Sequence, residues 1–126
     1  MTEEIHQHLE RSSHLLEVAD ELYELSYFED AVNRLYYAMF HAATAILLHY
    51  GIQRSSHHAL IAAFGQYVIK PGHIEQKYHR YLIEVFNARS ESDYFPLPEI
   101  TEEQVRRLLE YARDFVSTVE EHVDKQ

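Results

Sequence analysis

Leu35-Tyr36-Tyr37-Ala38-Met39-Phe40-His41-Ala42-Ala43-Thr44-Ala45-Ile46-Leu47-Leu48-His49-Tyr50 is apolar on nearly every side, interrupted only by His41, Thr44 and His49. Wound as a helix it has no polar face to offer water, so other elements must enclose it. No Gly or Pro breaks it, and Gly51 follows at once, the residue that enters a left-handed cap conformation without steric penalty. Upstream, Ser26-Tyr27-Phe28-Glu29 has the reciprocal pattern of a capping box, with Ser26 as N-cap and Glu29 reaching back. The stretch reads as most of a central helix of about two dozen residues, roughly 36 Å long at about 1.5 Å rise per residue.

The flanking segments supply the enclosure. Glu3 to Leu25 places Ile5, Leu9, Leu16, Ala19 and Tyr23 on one face with Glu and Asp opposite, an amphipathic helix. Ser55 or Ser56 caps a shorter third helix through Ala59, Leu60, Ala63, Phe64 and Tyr67, which ends at Pro71-Gly72. A fourth, from about Ile74 to Asp93, carries Tyr78, Leu82, Val85, Arg89 and Ser92 in one stripe. After Phe95-Pro96-Leu97-Pro98, an extended link, Thr101 and Gln104 form a capping-box pattern ahead of Val105, Leu108, Ala112, Phe115, Val119 and Val123. Long helices on short connections give the expected fold: all-α, an antiparallel four- to five-helix up-and-down bundle, in one domain spanning 1–126.

Composition narrows the function classes. Apolar residues make up 46% and charged residues 25%, ordinary globular usage, and the three Pro and three Gly leave long stretches unbroken. There is no Cys, hence no disulfide framework, thiol nucleophile or Cys-based zinc site. The acidic start, Met1-Thr2-Glu3-Glu4-Ile5-His6, lacks the basic flank and apolar run of a signal peptide, and the most apolar run, Ala42 to Leu48, is far short of the roughly 20 residues of a membrane span. A cytoplasmic protein without membrane contact is expected. The net charge of −10, with Arg106-Arg107 the only adjacent basic pair, excludes a broad basic stripe for nucleic acid. RNA binding would have to be local, and a basic partner is equally compatible.

Asn33-Arg34-Leu35-Tyr36-Tyr37-Ala38-Met39-Phe40-His41-Ala42-Ala43, followed by Arg89-Ser90-Glu91-Ser92-Asp93-Tyr94 near the end of the fourth helix, resembles the HEPN family, and within it a subgroup with an Arg-x-x-x-Asp-Tyr motif. The likeness covers nearly the whole chain. It implies a helical bundle that forms a homodimer in which motif arginines from two subunits face a shared cleft, with RNA or a nucleotide as the cleft's ligand. It further implies a nucleotidyltransferase-type protein partner, as in toxin–antitoxin or nucleotide-handling pairs.

Many relatives so implied are metal-independent ribonucleases, in which an Arg followed after four to six intervening residues by His stabilises charge and moves protons as a ribose 2′-hydroxyl attacks phosphate. Here the downstream position offers Asp93 or Tyr94 instead of His. Arg34 and His41, seven positions apart, return to nearly the same helical face and form a substitute pair, although in the second helix they read first as a polar stripe within a helix contact. Arg89 with Asp93 one turn later reads as an intrahelical ion pair, or as a cation set for a phosphate or an acidic partner. The candidate catalytic residues are therefore Arg89, Asp93, Tyr94, Arg34 and His41.

The ten His include three close groupings, His57-His58, His6 with His8, and His73 with His79, none with convincing ligand spacing, so neither metal nor other cofactor is expected. Tyr23, Tyr27, Phe28, Tyr36, Tyr37 and Phe40 could stack on bases, but at helical spacing they read as core and dimer-seam packing. Two functions follow: a dimeric HEPN-like module partnered by a nucleotidyltransferase, and, as the alternative, a metal-independent endoribonuclease using a cleft at the dimer interface.

Overall fold

The computed structural model describes residues 2–94 and 99–125, and for 92–94 the backbone alone. It is an all-helical bundle: α1 (Glu3–Glu24), α2 (Phe28–His49), α3 (His57–Phe64) running on into a π-helical turn (Gly65–Ile69), α4 (Lys77–Tyr94) and α5 (Glu102–Asp124). No strand occurs among the described residues.

Helix α2 is the axis, packed most extensively on α1 and also on α3, α4 and α5. Leu35, Tyr36, Ala38, Met39, Ala42, Ala43, Ala45 and Ile46 are entirely buried, as the all-round apolar pattern requires. Ala31, Ala38, Ala42 and Ala45 share one face. There the buried hydroxyl of Ser12 on α1 donates to the carbonyl of Ala38 at 2.7 Å, a contact that small side chains permit. Helix α5 buries Val105, Leu108, Leu109, Ala112, Phe115, Val116, Val119 and Val123 in a single stripe. Tyr23 donates to Glu102 at 3.2 Å, Ser13 to Glu120 at 3.1 Å, and Arg113 pairs with Asp20, tying α1 to α5 at their rims.

Several caps follow the sequence. Thr101 accepts from the backbone N–H of Gln104 and Ser56 from that of Ala59, each at 3.1 Å. Gly51 has φ 75°, with its N–H donating to Leu48 and that of Ile52 to Leu47, the paired bonds of a Schellman stop. Ser26 departs from expectation: it caps nothing at the start of α2, whose N-cap is Tyr27 without a side-chain bond. Ser26 instead occupies the left-handed position that closes α1, at φ 64°, with its N–H donating to Tyr23 and that of Tyr27 to Leu22. A three-residue corner cannot both unwind one helix and cap the next in extended geometry, and the stop wins. The inner face of α1 is also rotated slightly, burying Ser12 and Leu15 where Leu16 and Tyr23 were expected and leaving those two on the flank.

At one pole, Tyr50 clasps three segments. Its hydroxyl lies 2.5 Å from Nε2 of His122 on α5, and its ring stacks on His73 in the link before α4, centroids 4.4 Å apart. His49 lies close by, its ring centroid 6.2 Å from that of His122. Burial, then His73 and His49, lower the pKa of His122 below the ordinary 6.5.

Three outcomes are expected of thermal or denaturant unfolding. Ser26→Gly relieves the left-handed backbone and stabilises by about 0.5–1 kcal/mol net of unfolded-chain entropy. Ala38→Leu overpacks the Ser12 contact and costs about 1–3 kcal/mol; unchanged stability would refute the close approach. Because the folded chain holds His122 below its unfolded pKa, the unfolded chain binds more protons in acid, so stability is undiminished above about pH 6.5 and falls below it. His122→Gln shallows that slope.

Candidate functional site

Residues that lie far apart in the chain meet on the face of α2 opposite Ala38. Tyr36 and Tyr37 are consecutive on α2, with rings at 68° and centroids 5.4 Å apart. From α4, the Arg89 guanidinium carbon sits over both, 5.7 Å from the Tyr36 centroid and 5.5 Å from that of Tyr37, and Nη2 donates to the Tyr37 hydroxyl at 3.3 Å. Stacking of a guanidinium on aromatic faces fixes its plane and partly replaces lost hydration. Arg89 is half-buried, on the inner stripe of α4 one turn beyond Val85.

The first residue of α3 completes the group. Nδ1 of His57 lies 2.7 Å from the hydroxyl of the fully buried Tyr36. The His57 ring also packs edge-on against Phe40 at 5.2 Å and beside Phe86 of α4 at 5.9 Å. Burial drives the Tyr36 phenol pKa upward, with Arg89 opposing, so the hydroxyl keeps its proton. A buried hydroxyl needs an acceptor, and among the described residues the one in reach is Nδ1 of His57, which assigns the imidazole proton to Nε2. Burial, then the charge of Arg89, then His58, lower the pKa of His57, leaving it neutral at pH 7. The result is a fixed cation beside an imidazole, both held by tyrosines.

Of the five candidate catalytic residues, Arg89 alone lies in this group as described. Arg34 is exposed on α2. His41 is half-buried toward α1, its Nδ1 2.9 Å from that of His8, with its pKa lowered by burial, then His8 and Arg11; no contact joins it to Arg34 among the described residues. Asp93 and Tyr94 end α4, but their side chains, and with them the proposed Arg89–Asp93 pair, lie outside the described residues. His57, Tyr36 and Tyr37 were not read as site residues. The adjacent tyrosines looked like packing, and nothing in the linear order links His57 to an arginine two elements later.

The remaining His are dispersed: His6 meets Glu10 at 2.9 Å, His79 bonds the Ile61 carbonyl at 3.1 Å, and His58 lies against the edge of Phe86. Among the described residues no three potential ligands are placed to hold a metal ion. Two surface cavities of about 380 and 360 Å³, one lined by Glu10, Glu17 and Glu120 and the other by Glu75, Glu121 and His122, lie away from Arg89. No helix of the described residues is long and apolar enough to cross a membrane.

Comparison with known proteins agrees with the all-helical fold. Residues 5–122 match the model of the HEPN domain. A protein named "Putative toxin" from Methanocaldococcus jannaschii is 35% identical over 117 residues, covering 93% of this chain and 87% of its own length. A second "Putative toxin" of that organism is 28% identical over 95% of this chain and 82% of its own. A "UPF0332 protein" of Thermotoga maritima is 31% identical over 90% and 86% respectively. With an all-helical bundle and a match to the HEPN domain over residues 5–122, this chain belongs to the HEPN family.

Proposed function

We propose that the chain is the toxin-type member of a two-protein module, that it works as a homodimer, and that its partner is a nucleotidyltransferase-type protein. The observation that carries this reading is Arg89, a half-buried cation held on two tyrosine rings beside a neutral imidazole in a chain of net charge −10. Packing that orients a guanidinium in this way, where a solvated surface arginine would be free to rotate, suits a group that meets an anion. The relatives named as toxins support the module, and a dimer would set two such arginines across one cleft, where RNA or a nucleotide is bound. The cytoplasm, where both ligands occur, is the compartment this role requires.

A second reading, metal-independent endoribonuclease, gains from His57. His57 of α3 is near enough to Arg89 to feel its charge, and in this reading it would stand in for the imidazole absent downstream of Arg89. Arg34, His41, Asp93 and Tyr94 remain candidates in this reading.

Expression of the chain alone is expected to arrest growth of a bacterial host, and co-expression with a nucleotidyltransferase encoded beside it to relieve the arrest. Arg89→Ala is expected to abolish arrest while leaving helix content and a mass near 30 kDa, twice the 15.0 kDa of one chain, in solution. Unimpaired growth under wild-type expression sinks the toxin reading, and a 15.0 kDa species sinks the dimer. Incubation of purified protein with total RNA in EDTA separates the two readings: cleavage lost in Arg89→Ala and His57→Ala but kept in His41→Ala assigns a nuclease to the Arg89 group, and absence of cleavage leaves the partnered binding module.

A further inference from the structure

Three large apolar side chains are exposed among the described residues, and two of them stand on either side of Ser26: Leu25, 64% exposed, and Tyr27, 56% exposed, with Ile83 of α4 the third. An apolar side chain alone on a surface needs no explanation. This pair differs because the backbone beneath it is fixed. Ser26 closes α1 at φ 64°, its N–H donating to Tyr23 and that of Tyr27 to Leu22. Tyr23 and Phe28, ring centroids 6.0 Å apart, are partly buried beside it, as is Leu22, and extend the apolar surface of the corner.

The charges around this corner are mostly of one sign. Glu21 and Glu24 on the last turn of α1, and Glu29 and Asp30 on the first turn of α2, are exposed. No Lys or Arg occurs between Arg11 and Arg34. From α5, Glu102 accepts from Tyr23, and the charge of Arg106 acts on the same tyrosine. Arg34 lies one turn beyond Asp30, and Asp20 is already paired with Arg113. With Asp20 and its partner set aside, the carboxylates of Glu21, Glu24, Glu29, Asp30 and Glu102 outweigh the guanidiniums of Arg34 and Arg106, and the rim is acidic.

We propose that the Leu25–Ser26–Tyr27 corner is the docking surface for the partner protein, and that the partner meets it with an apolar recess rimmed by Lys and Arg. This rests on the two-protein module proposed above and names the surface and the chemistry of its occupant. A Leu and a Tyr on a pinned turn present apolar area with little backbone freedom left to lose, and few such residues suffice to dominate an interface. A second copy would set an identical acidic rim against this one, and like charges oppose that approach. Nucleic acid is repelled on the same ground. A basic rim is attracted, and the attraction speeds encounter. Tyr36 lies nine positions after Tyr27, roughly 14 Å along α2 at about 1.5 Å per residue, so the corner and the Arg89 group can be altered independently.

The test uses the full chain and the nucleotidyltransferase-type protein encoded beside it, each purified, with affinity read by titration calorimetry. The wild type is expected to bind, and to bind more weakly as salt rises from about 50 to about 500 mM. Leu25→Ser with Tyr27→Ser should weaken binding about tenfold or more, and Tyr27→Phe should keep it. Glu24→Lys with Glu29→Lys should weaken it and flatten the salt dependence. In cells, the Ser pair is expected to arrest growth as the wild type does, with the co-expressed partner no longer relieving the arrest. Should the Ser pair unfold the chain, as read by circular dichroism, the charge-reversed pair decides. Wild-type affinity in either pair, in a chain that stays folded, overturns the corner and leaves the two-protein module standing. A Ser pair that runs at 15.0 kDa where the wild type runs at twice that marks the corner as a seam between copies and also overturns it. Absence of any complex with the wild type overturns the partner reading and the corner together.

Discussion

The bond from the Ser12 hydroxyl to the Ala38 carbonyl sets how near α1 comes to the backbone of α2, and the positions of the other helices depend on that distance. Alanines at 31, 38, 42 and 45 make the approach sterically feasible, and a buried hydroxyl that finds an acceptor costs little. With α1 seated on this side, α2 has its larger side chains for the remaining helices. Tyr36, near the opposite side from Ala38, is thereby driven into the space shared with α3 and α4. The group around Arg89 is in this sense a product of core packing. Tyr36 is buried, and Tyr37 partly so, because α2 is central, and they are fixed because the core is close-packed.

The same logic explains how much of the fold could be read from the chain. Helix α2 was legible because a long, unbroken, all-round apolar run has few other physical solutions, and α5 because its stripe is regular and its Thr101 cap lies just ahead of it. Helix stops at Gly51 and Gly72 were legible because both occupy the left-handed region, at φ 75° and 87°. Ser26 misled because a serine ahead of an apolar run signals a start, whereas here the chain must first leave α1, and the stop claims the residue. Leu15 and Leu16 show a second limit: on a helix with two adjacent leucines, the periodicity leaves the inward one undecided by a small rotation, and the neighbouring helices decide.

The site was legible only in part, for a different reason. Arg89 stood out because a cation on an apolar stripe must be accommodated somehow, a statement about one helix. The imidazole that accompanies it belongs to His57, whose position depends on the length of the link from Gly51 and on where α3 packs against α2 and α4. No local pattern carries that information. A motif sought as Arg and His on one helix would pass over a pair assembled from two.

Electrostatics then limits what such a pair can recognise. The chain carries ten net negative charges, so a polyanion approaching from a distance is repelled, and at physiological salt that repulsion fades beyond about 8 Å. Attraction must come from donors in direct contact. One guanidinium and one imidazole can satisfy a single phosphate and have little left for its neighbours along a strand. Sites of that kind discriminate by geometry at one phosphate, and in the assembly proposed above the remaining affinity would come from the second copy or the partner protein.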